Sequence, residues 1–163
     1  MNFLENSGKA LLNLSSYGAF LTVGENDLIN PMTIGWAQIG ISQGKPVLNI
    51  MVRPSRYSME LIRKNPVFTV SIPKDESYKN AIAFCGSKSG RDFDKIKECK
   101  LETVESEKIN VPGIKNCMVY ECKVIYETEM TKDQTSHECN EKWYKNGDYH
   151  VVFTGEILNY KEN

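Results

Sequence analysis

Two short basic segments carry the residue types best suited to chemistry in this chain. The first, Arg53-Pro-Ser-Arg-Tyr-Ser58, sets two guanidinium groups and two serine hydroxyls where a helical pattern begins. A helix start presents unpaired N–H groups and the positive end of the peptide dipoles, and fixed cations beside it favour a phosphate. The second, Ser87-Lys-Ser-Gly-Arg-Asp-Phe-Asp-Lys95, offers two hydroxyls, backbone N–H groups freed by Gly90 and three cations at another helix start. It is not a P-loop, because the G-x-x-x-x-G-K-[ST] spacing is absent. By composition alone, the commoner reading of the first segment is a capped helix with solvated arginines, and of the second a solvated loop. Upstream, Thr33, Gly35 and Ala37 alternate along one apolar run, and all three are small. A strand face without bulk lets a flat ligand, or another sheet, approach the backbone closely. Together these features suit a planar ring that bears a phosphate.

The elements that must position these residues are mostly strands. Tyr17 to Val23 reads as a strand closed by the turn residues Gly24 to Asp27. Met32 to Ile41 and Val47 to Val52 follow as two strands joined through the Ser42–Pro46 turn cluster. Tyr57, Leu61 and Ile62 take helical spacing up to Asn65-Pro66. Val67–Pro73 alternates as a strand. Ser77–Phe84 reads as a helix with Gly86 as its C-cap, and Asp92–Lys97 as a short helix with an Asp cap. Cys117–Tyr126 is a long strand, 127–141 shows no clear period, and Asn146-Gly147 predicts a hairpin between Trp143-Tyr144 and the last strand, His150–Leu158. A short helix over residues 3–14 rests on a loose stripe of Phe3, Leu4, Leu11, Leu12 and Leu14. Without recurring βαβ alternation, the expected fold is mainly β, a six-stranded antiparallel barrel with short connecting helices.

At 163 residues the expectation is a single domain spanning 1–163. Hydrophobic content of 40%, charged content of 25% and a net charge of −1 are ordinary for a globular protein and argue against nucleic-acid or membrane-surface binding. No apolar run approaches membrane-spanning length, and Asn13, Ser15 and Ser16 interrupt the apolar start, so no signal peptide is expected. Five cysteines without a regular framework point to reduced thiols and a cytoplasmic protein. Cys117 and Cys122 lie an odd number of residues apart and so face opposite sides of a strand. His137-x-Cys139 lacks a second ligand pair, so no metal is expected. No Ser-His-Asp or Cys-His set stands in a supportive context for hydrolysis. A non-catalytic barrel holding some other anion at the basic corner remains the alternative from a different class.

Asn30-Pro-Met-Thr33 with Trp36, Arg53-Pro-Ser-Arg-Tyr-Ser58, and Cys85-Gly-Ser-Lys-Ser-Gly-Arg-Asp92 with Asp94-Lys95 resemble, in that order and spacing, the flavoredoxin branch of the flavin reductase-like proteins. The resemblance runs from about Tyr17 to a last strand carrying Gly155-Glu156. It implies a Greek-key split barrel that binds FMN, commonly as a homodimer. Members either pass electrons through bound FMN to a redox partner protein or small-molecule acceptor, or reduce diffusible flavin with NAD(P)H. The implied cofactor contacts are Asn30, Met32, Thr33, Ile34 and Trp36 for the ring, with Arg53, Pro54, Ser55, Arg56, Ser58, Cys85, Gly86, Ser89, Gly90 and Lys95 at or near the phosphate. Trp36, pointing away from Thr33 in a regular strand, is more often core or dimer interface than a flavin stack. Cys85 reads by default as a small buried hydrophobe, and Arg91–Asp92 as a structural ion pair. Many flavin reductases of this group carry Gly-Asp-His before the last strand, the His beside the nicotinamide. Here His150 sits at that distance from Gly155, with Asp148-Tyr149 before it. No general acid, base or nucleophile is required of the chain, because the flavin itself carries the electrons.

Overall fold

The run expected as one strand from Met32 to Ile41 is divided at Gly35-Trp36, and that division organises the barrel. In a computed structural model that describes residues 3–163 (the Leu4 side chain lies outside the described residues), β1 (Ala19–Glu25) pairs with β2 (Leu28–Ile34), and β3 (Ala37–Ser42) with β4 (Lys45–Val52). Adding β5 (Val67–Pro73), β8 (Cys117–Glu129) and β9 (Val151–Glu162), the antiparallel sheet has the order β2-β1-β5-β8-β9-β4-β3. The terminal strands β2 and β3 are therefore joined by two residues. A flat sheet of seven strands about 4.8 Å apart would hold them far from one another, so the sheet curls round until its ends meet. A two-residue strand pair, β6 (Thr103–Val104) with β7 (Gly113–Ile114), completes the strands of the described residues. The fold is the expected split barrel with more strands than the six predicted, because one run is cut in two and the short pair carries no periodic pattern.

Alternation along the strands makes two cores. Leu21 and Val23 of β1 and Met118, Tyr120 and Cys122 of β8 face the barrel interior with Leu48, Ile50, Phe68, Val70, Ile72 and Phe153. Phe20, Cys117 and Val119, on the opposite faces of the same strands, join Cys85, Leu101 and Ile114 in an outer cluster. Each fully buried side chain of this size contributes roughly 1.5–3 kcal/mol. Cys117 and Cys122 lie in different cores, as their spacing predicts, and both are free thiols. The outer cluster lies under α3 (Lys79–Ser87) and α4 (Lys95–Glu98), which supply Cys85 and the half-buried Ile82 and Ile96. α1 (Phe3–Tyr17) runs three residues beyond the expected helix and packs Ala10 and Leu14 on the barrel core. α2 (Tyr57–Lys64) buries Met59, Leu61 and Ile62 against it.

Two local expectations fail for identifiable reasons. Gly86 is not the C-cap of α3, which continues to Ser87 with Lys88 as its cap. A Cβ at Gly86 would lie 3.3 Å from Thr33 Cβ, so the small residue serves a close helix–strand approach and not a chain stop. Asn146-Gly147 makes a turn, the Gly147 amide bonding the Tyr144 carbonyl at 2.9 Å, but no hairpin. Both edges of β9 are taken by β4 and β8, and the preceding segment forms a helix, α5 (His137–Trp143), capped by the Ser136 hydroxyl. Among the described residues no helix is long and apolar enough to cross a membrane.

At Gly155, opposite Leu48 on β4 and Val124 on β8, the Phe68 ring lies against the backbone. A Cβ there would sit 2.4 Å from Phe68 Cζ and 3.0 Å from Cys122 Cβ, both inside the barrel. Gly155→Ala should lower the unfolding free energy by about 1–3 kcal/mol through overpacking. Urea unfolding checks this: a shifted midpoint at unchanged slope is expected, and an unchanged midpoint would remove the claim that the ring needs the glycine.

Candidate functional site

The seam between β2 and β3 opens a cleft of about 290 Å³, whose lining includes Met32, Thr33, Ile34, Trp36, Arg53, Gly86 and His150 from the predicted set. Because Gly35 and Trp36 lie between strands, the pleat alternation does not carry through, and Trp36 lines the same cleft as Thr33 instead of pointing away. It is 37% exposed and meets Trp143 edge-on at 4.9 Å and the His150 ring at 5.3 Å. Met51 of β4 and Trp143 at the end of α5 complete the apolar side. Neither was anticipated. Met51 sits in an ordinary strand pattern, and the sequence places Trp143 in a hairpin strand, although Ser136 is a residue type that caps helices. The Thr33 hydroxyl is turned inward, donating to the Ile82 carbonyl at 2.5 Å.

A second pocket, of about 210 Å³, brings the two basic segments together. Ser55, Arg56 and Ser58 of the first and Ser89, Gly90 and Lys95 of the second line it, with Asn30 at its base. Met32 and Arg56 line both pockets, so cleft and pocket adjoin. Lys95 is buried, its ammonium donating to the Pro31 carbonyl at 2.8 Å and reaching the Cys85 carbonyl at 3.4 Å. The Arg56 guanidinium donates to the Gly86 carbonyl at 2.9 Å. Among the described residues neither cation has a carboxylate within ion-pair distance. Burial, with Arg56 adding to it, drops the Lys95 ammonium to about 8. Burial and then Arg53 also push Arg56 below its ordinary value. Two partly desolvated cations, with Asp148 acting on Arg56 only as the weakest influence, form a setting that an anion would suit. Ser58 is buried and accepts from Asn30 Nδ2 at 2.9 Å, and Asn30 Oδ1 is buried without a partner.

Three predicted contacts lie elsewhere. Arg53 lines the first cleft and not the anion pocket; it bonds the carbonyls of Asp148 at 2.8 Å and Trp143 at 3.0 Å and stacks on Tyr144. Pro54 is exposed and reaches neither cavity, setting the corner by its backbone alone. The Cys85 thiol is buried in the outer core and pushed up to about 12 by burial, so this residue faces Lys95 only through its carbonyl. Arg91 pairs with Glu60, not Asp92, and lies over the Tyr57 ring. Asp148, outside the predicted set, takes the Ser55 amide at 3.2 Å and hydroxyl at 2.6 Å. It thereby straps the Arg-Pro-Ser-Arg corner to the loop that carries His150. His150 is buried, with Nδ1 at 2.7 Å from the Tyr144 hydroxyl. Burial and then Arg53 drop it to about 4, so its ring is neutral near pH 7.

The profile of the flavin reductase like domain matches residues 14–163 of the chain. An uncharacterized protein of Archaeoglobus fulgidus is 32% identical over 140 residues, covering 85% of this chain and 68% of that protein. Among solved structures, flavoredoxin of Desulfovibrio vulgaris (Miyazaki F) superposes with a TM-score of 0.69 at 25% identity, over 90% of this chain and 69% of that one. Flavoredoxin from Methanosarcina acetivorans gives 0.70 at 24% identity, over 90% and 68%.

The depressed Lys95 value has a sign that can be tested. Between about 8 and its ordinary 10.5 the folded protein holds fewer protons here than the unfolded chain, so this group makes the ligand-free protein more stable as pH rises through that window. Lys95→Met removes the component, worth about 3 kcal/mol below pH 8. The difference in unfolding free energy between variant and wild type should therefore shrink between pH 8 and 10.5. A difference constant with pH would show that the ammonium is not desolvated.

Proposed function

The chain belongs to the flavin reductase-like family, and from that premise we propose that it is an oxidoreductase that holds FMN and passes electrons through it. What carries the proposal is the buried, unpaired Lys95 ammonium beside Arg56, in a pocket that adjoins a wider cleft lined by backbone and aromatic side chains. Residues present fit the group on one further count. Asn30 Oδ1 is a buried acceptor without a partner, and a ribityl hydroxyl is a donor of the kind it needs.

In this assignment Arg56, Lys95, Ser89 and the Gly90 backbone hold the phosphate, with Ser58 reached through Asn30. Thr33 to Trp36 seat the ring at the seam, where no strand neighbour competes for the backbone. Bound FMN supplies hydride acceptance and one- or two-electron transfer. The chain's own part is to bind, orient and shield. Trp36 and Trp143 wall off water on one side of the cleft. Arg53, fixed by two carbonyls, places positive charge near it, which favours a reduced, anionic ligand. His150, neutral with Nδ1 held by Tyr144, leaves Nε2 as the nitrogen able to meet a nicotinamide or other donor. The assignment takes the chain as one domain and as a homodimer, for which exposed Ile41 on β3 offers apolar surface.

Purified protein that leaves a sizing column yellow, with flavin absorbance, is the expected result. Colourless protein that oxidises NAD(P)H only when flavin is added would instead make it a reductase of diffusible flavin. No flavin spectrum after reconstitution would leave an anion-binding barrel. Arg56→Ala should weaken FMN by about 10–100-fold, as for a charged hydrogen bond of about 1.5–3 kcal/mol. Riboflavin, which lacks the phosphate, should change less than about twofold if that bond is the one lost. Equal losses for both would place Arg56 at the ring.

A further inference from the structure

We propose that Cys85 and Cys99 are a reversible dithiol–disulfide pair, whose oxidation cross-links α3 to α4 beside the second pocket. Both residues belong to the outer cluster with Ile82, Ile96 and Leu101, and their side chains hydrogen-bond one another. Thiols already in contact have only the last gap to close to an S–S bond of about 2.05 Å. Neither residue is loosely held. Cys99 caps α4 in a Schellman turn, in which the Leu101 amide bonds the Ile96 carbonyl at 2.9 Å and the Lys100 amide that of Lys97 at 3.1 Å. Lys100 takes the left-handed φ of 51° that this turn requires. Lys95 spans the pair: its ammonium reaches the Cys85 carbonyl at 3.4 Å, and its own carbonyl accepts from the Cys99 amide at 3.1 Å.

The two thiols are placed for different parts. Cys99 is half-buried and Cys85 fully buried, so a small oxidant meets Cys99 first and Cys85 resolves. Burial raises both thiols, and the Lys95 ammonium acts against that rise on each, favouring the thiolate that reacts. Hydrogen peroxide is the oxidant. Its O–O bond breaks as Cys99 takes one oxygen as a sulfenic acid, the other leaving as water with the thiol proton. The Cys85 sulfur then attacks the Cys99 sulfur, the S–S bond forms, and the sulfenic oxygen departs as a second water. Two thiols lose two electrons and one peroxide gains them. A small dithiol reverses the step by exchange. The cross-link fixes the spacing of the two helices that flank Ser89 and Lys95, both of which line the second pocket.

Treating the native protein with hydrogen peroxide, then denaturing, alkylating and mapping its peptides by mass spectrometry, tests the pair. The expected product loses two of its five thiols as a linked Cys85–Cys99 peptide and regains both with dithiothreitol. Cys85→Ser should leave Cys99 as a sulfenic acid that dimedone traps. Cys99→Ser, at the less buried position, should leave Cys85 reduced. Wild-type protein whose Cys85 and Cys99 thiols stay intact, whose Cys99 is oxidised without linkage, or whose Cys85 pairs with Cys117 of the same cluster would overturn the proposal. These readouts need no flavin, so their failure is separate from that of the phosphate assignment.

Discussion

Closing a seven-strand order through a two-residue link makes the sheet wrap, because β2 and β3 lie at its two ends and yet follow one another in the chain. The five strands between them in this sheet have hydrogen-bonded partners on both sides, and at Gly35-Trp36 the backbone leaves the ladder. That seam is where the cleft opens. The same constraint that completes the barrel thus exposes main-chain groups and small residues at one place on an otherwise covered sheet. Trp36, freed from strand alternation, swings into the opening beside Trp143 and His150.

Around the seam the charges are arranged unevenly. Glu121, fully buried on β8, is answered by the amides of Glu107 and Lys108 and by Asn159, and in being satisfied it ties the 105–112 loop to the barrel. Lys95 and Arg56 are answered only by carbonyls and a thioether. Carbonyl dipoles position a cation without neutralising it, so this side of the molecule keeps a standing demand for an anion. The cost of that demand in the ligand-free state is what makes the pocket read as a binding site and not as a packing detail.

Asp148 joins the two halves of the site. Its carboxylate holds Ser55, its carbonyl holds Arg53, and two residues later His150 enters the cleft. The two arginines of this corner are placed differently: Arg53 lines only the cleft, whereas Arg56 lines both the cleft and the second pocket. Tetrahedral and planar ligand parts would then face cations of different surroundings, one desolvated among carbonyls, the other stacked on Tyr144.

Local patterns were enough for the strand-rich class, most element positions, the opposite facing of Cys117 and Cys122, and the two basic segments with their Gly and Ser residues. Period, turn chemistry and charge are properties of neighbouring residues, and they survive whatever the rest of the chain does. Long-range placement was beyond them. That Arg53 and Pro54 lie outside the second pocket, that Cys85 offers a carbonyl and not a thiol, that Asn146-Gly147 makes a turn after α5 instead of a hairpin, and that Trp143 lines the cleft all depend on which edges remain free once β9 lies between β4 and β8. Sequence spacing sets which residues can share a face of one element; the barrel's closure sets which elements meet, because only packing in three dimensions decides which backbone edges and charges stay unpaired.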